Sequence, residues 1–123
     1  MTPAWHGSGI MTDGGMVYGG VAGGFLIEVE GKKIYHAGDT GLTTEMTLLA
    51  ADSIDVALLP IGGNYTMDIE DAVRATGMIR PRMVVPMHFD SFPVIKASPE
   101  EFSSLASAHA EVRILSVGDS LDI

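Results

Sequence analysis

The chain has no cysteine, so it forms no disulfide and offers no thiolate to a metal. Any metal must be held by His, Asp, Glu or backbone oxygen. Basic residues are also few: seven Lys and Arg stand against 16 Asp and Glu, a formal charge of −9. Such a surface repels polyanions at long range and disfavours general nucleic-acid binding, although bound divalent cations reverse the field locally. No apolar run nears the roughly 20 residues of a membrane helix. Met1 to His6 has neither a basic region nor an apolar stretch, so no signal peptide is expected there and a cytoplasmic protein is the default.

What is present is apolar. A composition 46% hydrophobic and 19% charged describes a packed core rather than a disordered chain. A length of 123 residues buries roughly two-thirds of its unfolded surface. No repeat, low-complexity tract or linker divides the sequence, so residues 1–123 are expected as a single domain.

Residues 1–20 have little periodicity and many glycines, which predicts a loop-like run; Trp5-His6 reads as the end of a core strand that begins upstream. From Gly24, Phe25, Ile27 and Val29 alternate with Leu26, Glu28 and Glu30, the period of a strand with one buried face. Glu30-Gly31-Lys32 supplies a turn and Lys33 to His36 returns, which predicts a hairpin. Leu42 to Ala51 predicts a helix capped by Thr43 or Thr44, with Leu42, Met46, Leu49 and Ala50 on one face. Asp55 to Pro60 is a continuous apolar run, expected as a strand covered on both faces.

Asp68 is expected to cap a helix with Ile69, Ala72, Val73 and Thr76 inward, stopped by Pro81. Met83 to His88 predicts a further buried strand, placed at an edge or terminated by Pro86. Ser98-Pro99-Glu100-Glu101 signals a helix start, with Phe102, Leu105, Ala106 and His109 as its buried stripe. Val112 to Leu115 and Leu121 to Ile123 are expected as closing strands around a Gly118-Asp119 turn. Strands and helices in alternation mean an α/β fold with helices packed on a sheet.

In such sheets ligands bind beyond the carboxyl ends of the strands. Asp39, the Gly62-Gly63-Asn64 loop and His88 each follow a predicted strand. Asp39 fits a turn or cap as well as a metal site, and His88 fits a satisfied strand-end histidine as well as a ligand. His36 shares a strand face with Ile34, where it is either a core histidine or a donor that orients a ligand carboxylate. His109 suits the dipole at a helix end. His6, Asp39 and His88 together form a chemically sound set for zinc, manganese or iron, but they are too dispersed to be a local motif.

Gly24-Phe25-Leu26-Ile27-Glu28, the run from Tyr35-His36-Ala37-Gly38-Asp39 to Gly41, Leu58-Leu59-Pro60-Ile61-Gly62 and Val85-Pro86-Met87-His88-Phe89 carry a likeness. Together they resemble the C-terminal half of metallo-β-lactamase-fold hydrolases, nearest the branch related to ascorbate-6-phosphate lactonases. Pro3-Ala4-Trp5-His6-Gly7-Ser8 is similar to that branch's loop bearing a metal-binding histidine. The resemblance implies half of an αββα sandwich, a mixed β-sheet with helices packed on one face. It implies a dinuclear centre, zinc first and manganese or iron as alternatives, with His6 on one metal, His88 on the other and Asp39 bridging. His36 and Asn64 would support these ligands. The nucleophile would be a water activated by the metals, with no side chain assigned as catalytic, and the substrate a small molecule.

The H-x-H-x-D-H motif of that family has no counterpart in this chain. The expectation is therefore an incomplete site, with partial or no metal and little activity, until an N-terminal half completes it. The alternative is a non-catalytic α/β module that self-associates through an uncovered sheet face.

Overall fold

The computed structural model describes all 123 residues. In chain order the elements are β1 (Thr2–Pro3), β2 (Gly9–Thr12), β3 (Gly15–Tyr18), β4 (Gly23–Val29), β5 (Lys32–His36), β6 (Val56–Pro60), α1 (Ile69–Ile79), β7 (Met83–Met87), α2 (Pro99–Ala106) and β8 (Glu111–Val112). Short 3₁₀ helices lie at Thr44–Asp52 and Pro93–Ile95. A mixed six-stranded sheet has the order β1-β4-β5-β6-β7-β8, and β2 and β3 form a separate hairpin. β1, β4 and β5 pair antiparallel, whereas β5 to β8 run parallel. No helix is long and apolar enough to cross a membrane.

The β4–β5 hairpin closes through Glu30 and Gly31, both at positive φ (51° and 77°), the backbone that a two-residue turn demands. Its register aligns Leu26 with Tyr35, Tyr35 with Ala57, and Ala57 with Val84. That row faces the helices. Tyr35, Ala57, Leu59 and Val84 form the main core with Ala72, Ala75 and Ile79 of α1 and Phe102 and Ala106 of α2.

The opposite face carries Phe25, Ile27, His36, Ile34, Leu58 and Val56 in register. Here the structure corrects the expected burial of β4: Phe25, Ile27 and Val29 are about half exposed, and Leu26 packs on the core. Alternation identifies residues that share a face; which face the helices cover is a tertiary choice. On this second face Val56, Met83 and Val85 are buried, beneath Leu115, Leu121 and Ile123.

The helices follow their caps. Asp68 accepts the Asp71 N–H at 2.9 Å and Ser98 accepts the Glu101 N–H at 3.1 Å, satisfying donors that a helix N-terminus leaves free. In α2, however, Leu105 is exposed, and His109 lies past the helix end with its ring against Gly77 of α1. Leu42 to Ala51 is not an α-helix. Its 3₁₀ turn buries Met46 and Leu49, three residues apart, and exposes Ala50, because three residues make one 3₁₀ turn.

Two further expectations change. Residues 1–20 hold β1 and the β2–β3 hairpin rather than a loop. Of the closing strands only Glu111–Val112 pairs with β7, and the rest contributes side chains to the second face without strand pairing. Pro86 causes no conflict in β7, which is paired on both sides at Met83 and Val84 but only with β6 at Pro86.

Candidate metal centre

β5 and β7 flank β6 and run parallel to it, so their carboxyl ends open on the same rim of the sheet. Asp39 lies three residues beyond β5 and His88 directly after β7. Asp39 Oδ2 is 3.8 Å from His88 Nε2. The Asp39 side chain is half exposed and that of His88 more enclosed, so both donors are open to a ligand from outside.

Each loop is held by its own backbone. Gly38 sits at φ 67°, close to the Gly23 carbonyl, and its N–H donates to His36 Nδ1 at 3.1 Å. His36 thus steadies the turn before Asp39 by accepting this bond at Nδ1. Thr40, fully buried, follows. Its hydroxyl accepts the Trp5 N–H at 2.8 Å and donates to the Gly41 carbonyl at 2.7 Å, while its own carbonyl accepts the Met67 N–H at 2.9 Å.

His88 is held differently. Its φ is 54°, a left-handed conformation uncommon for a non-glycine residue and concentrated at functional sites. Gly62 packs beneath it. A Cβ there would meet the His88 carbonyl and lie 2.9 Å from Ile95 Cβ, so only glycine admits this approach.

His6 follows Trp5, whose carbonyl accepts the Gly41 N–H at 3.0 Å. The strap bearing His6 is therefore tied on both sides of Trp5 to Thr40 and Gly41, next to Asp39. The His6 imidazole itself pairs with the Gly7 carbonyl, 2.6 Å from Nδ1, and no group of three His, Asp or Glu side chains converges to hold a metal. Asn64 is exposed at φ 61° and serves as a turn residue. The structure thus joins Asp39 to His88 and brings the backbone beside His6 to the same loop, while the Asn64 side chain hydrogen-bonds neither. Thr40 was not singled out from sequence; a threonine just after a strand-end Asp is the signal that could have found it.

Asp39 and His88 suit a divalent cation. Ligands about 2.1 Å from a tetrahedral zinc stand about 3.4 Å apart, close to the 3.8 Å observed. Two donors fall short of the usual three or four protein ligands.

Residues 6–88 match the model of the beta-lactamase superfamily domain. A UPF0173 metal-dependent hydrolase of Alkaliphilus metalliredigens is 61% identical over 117 residues, 95% of this chain and 52% of that protein. Its counterpart in Pelotomaculum thermopropionicum is 50% identical, over all of this chain and 56% of its own length. Igni18, a metallo hydrolase of the hyperthermophilic archaeon Ignicoccus hospitalis, superposes with a TM-score of 0.85 at 46% identity, over 98% of this chain and 50% of that one. The chain spans about half the length of the curated relatives it matches.

Proposed function

This chain belongs to the beta-lactamase superfamily, and from that premise we propose that it supplies one side of a divalent-metal site for hydrolysis of a small molecule. The observation that carries the reading is the 3.8 Å approach of Asp39 Oδ2 to His88 Nε2 at the sheet rim. The name its relatives carry, metal-dependent hydrolase, supports the same chemistry. Asp39 and His88 would hold the metal, with His6 joining once its imidazole turns from the Gly7 carbonyl. Zinc is the favoured ion on this His and carboxylate donor set, with manganese or iron as alternatives. When bound, such an ion polarises an electrophilic carbonyl or phosphoryl group and lowers the pKa of a coordinated water.

The chain's own residues then have definite tasks. The Asp39 carboxylate offers two oxygens and one negative charge, enough to serve two cations. Thr40 and His36 hold the Asp39 loop in place, and the left-handed backbone of His88 aims its ring across the rim. In this reading the chain is the C-terminal half of the fold, in the branch near ascorbate-6-phosphate lactonases, and it acts in the cytoplasm. The remaining ligands come from a complementary N-terminal half carrying H-x-H-x-D-H, which also covers Phe25, Ile27 and Val29. Half-exposed apolar side chains along a whole strand face support a missing cover.

The test is to purify the chain alone and with a segment bearing H-x-H-x-D-H taken from a relative. Metal content and hydrolysis of lactone, thioester and phosphodiester substrates are then compared. Stoichiometric metal and turnover only in the complemented protein are expected. Enzyme-like rates from the chain alone would overturn the incompleteness; no metal in either sample would leave a non-catalytic, self-associating module as the better reading.

A further inference from the structure

We infer that the cleft between β1, β5 and the 3₁₀ helix at Thr44–Asp52 is a binding site for a small aliphatic alcohol. The cleft has a volume of about 180 Å³, room for about six non-hydrogen atoms at roughly 30 Å³ each. Tyr35, Met46 and Leu49, all buried, form its inner wall, and the exposed Leu48 stands at its opening. It lies on the helix-facing side of the sheet, where Tyr35 joins the main core, and not on the face of Phe25 and Ile27.

Two hydroxyls select the ligand. Thr2 Oγ1 and Thr43 Oγ1 belong to residues that line the cleft, and both are buried without a hydrogen-bond partner. They are the only buried side-chain oxygen or nitrogen atoms of the chain left in that state. Such groups are rare in native proteins and each calls for a reason. Thr43 is the sharper case. It holds the N-cap position of the 3₁₀ helix in extended backbone, yet its side chain makes no capping bond, although threonine there ordinarily caps. The Thr2 hydroxyl lies beside the Tyr35 phenol, close enough to oppose part of the effect of burial on it, but without a hydrogen bond of normal geometry. Both oxygens are turned in from the surface, so a ligand meets them after rotation about one torsion between staggered positions.

Chemistry narrows the class. Each threonine hydroxyl both donates and accepts, so a ligand hydroxyl accepts from one and donates to the other. A carboxylate cannot donate, and Glu45 on the cleft lining repels it. An ammonium cannot accept. The aliphatic remainder of an alcohol covers Met46, Leu48 and Leu49, removing apolar surface from water. Thr43 stands four positions beyond Asp39, and Thr2 three before Trp5. A bound alcohol therefore joins the loop of one candidate metal ligand to the strap of another.

1-Pentanol is the probe, titrated into the whole chain with methyl resonances as the readout. The Met46 and Leu49 methyls are expected to shift and saturate in the millimolar range, as a ligand of this size allows, while Ile27 on the opposite face does not saturate. Pentanoate is expected to bind at least about tenfold more weakly, because its charge is costly to bury. Thr43→Val keeps the shape and deletes the hydroxyl. It is expected to leave the unliganded chain at least as stable, since a buried group without a partner is removed, and to weaken 1-pentanol about tenfold. Thr43→Ser should retain binding. Shifts at Met46 that never saturate, equal affinity for pentanoate, or full binding by Thr43→Val overturns the proposal. A less stable Thr43→Val also overturns it, because the hydroxyl then has a partner within the protein. The titration is repeated on the protein complemented by an N-terminal half, where loss of saturation likewise overturns the site. No readout depends on metal or turnover, so the cleft and the hydrolase reading succeed or fail separately.

Discussion

The Trp5 backbone N–H donates to the Thr40 hydroxyl at 2.8 Å, across 35 residues of sequence. That bond ties the strap carrying His6 to the residue after Asp39. Because Thr40 is fully buried and its hydroxyl also donates to Gly41, one small side chain sets the spacing between two candidate ligands.

Thr40→Val keeps the shape and removes the hydroxyl, leaving the Trp5 N–H without its partner. A loss of about 1–3 kcal/mol is expected in urea unfolding. Trp5 is the only tryptophan, so its emission reports the strap directly and should shift in the folded variant. Thr40→Ser should restore both signals.

Asp39→Asn is expected to behave in the opposite way. Its side chain is about half exposed, so stability should change by no more than about 0.5 kcal/mol. Metal affinity of the complemented protein should fall at least about 100-fold, because a neutral amide replaces a ligand carboxylate. Titration with zinc, followed by calorimetry, reads the effect. Equal affinity in wild type and variant would remove Asp39 from the site.

Gly62→Ala tests the support beneath His88. The added methyl collides with the His88 carbonyl and with Ile95, so about 1–3 kcal/mol of destabilisation is expected, together with weaker metal binding. Gly7→Ala, with no atom within 4 Å of the added carbon, is the matched control and should be nearly silent.

Asp55 sets the acid limit. The Lys33 N–H at 3.0 Å, aided by Lys32 at 3.5 Å and Arg82 at 3.8 Å, holds its carboxyl below the usual range. A lowered carboxyl contributes stability above its unfolded pKa near about 3.9 and loses it as pH falls through the folded value. Asp55→Asn should therefore be less stable than wild type near neutrality, and the gap should close in acid. Thermal unfolding between about pH 2 and 7 checks this.

At the alkaline end Tyr35 plays the corresponding part. Burial pushes its phenol up, and the neighbouring Thr2 side chain opposes that in part. The stability this contributes is full below the unfolded pKa near about 10 and is lost as pH rises through the folded value. Tyr35→Phe should flatten the alkaline decline. Phenolate absorbance assigned to Tyr35 at the ordinary tyrosine value, in folded protein, would contradict it.

Much of the fold was legible in local signals. The Glu30-Gly31 turn, the Asp68 cap and the Ser98-Pro99 start each satisfy backbone groups within a few residues, so sequence is enough to place them. The β2–β3 hairpin was also marked, by Asp13-Gly14 between Ile10-Met11 and Met16-Val17, but glycine abundance masked it. The 3₁₀ helix at Thr44–Asp52, the exposure of Leu105 and the unpaired run after Val112 were not marked locally. Each depends on what packs opposite.

By itself the sequence determined the donors available to a metal, the absence of thiolate, the acidic charge and the strand ends where ligands could stand. Only the tertiary structure decided that Asp39 and His88, 49 positions apart in the numbering, meet at 3.8 Å. It also decided that His6 is tethered nearby while its ring turns to Gly7. The reason lies in range: caps and turns are settled by neighbours in the chain. A meeting of strand ends requires parallel pairing of β5, β6 and β7, whose long-range closure is repaid only when the whole sheet buries its helix-facing side.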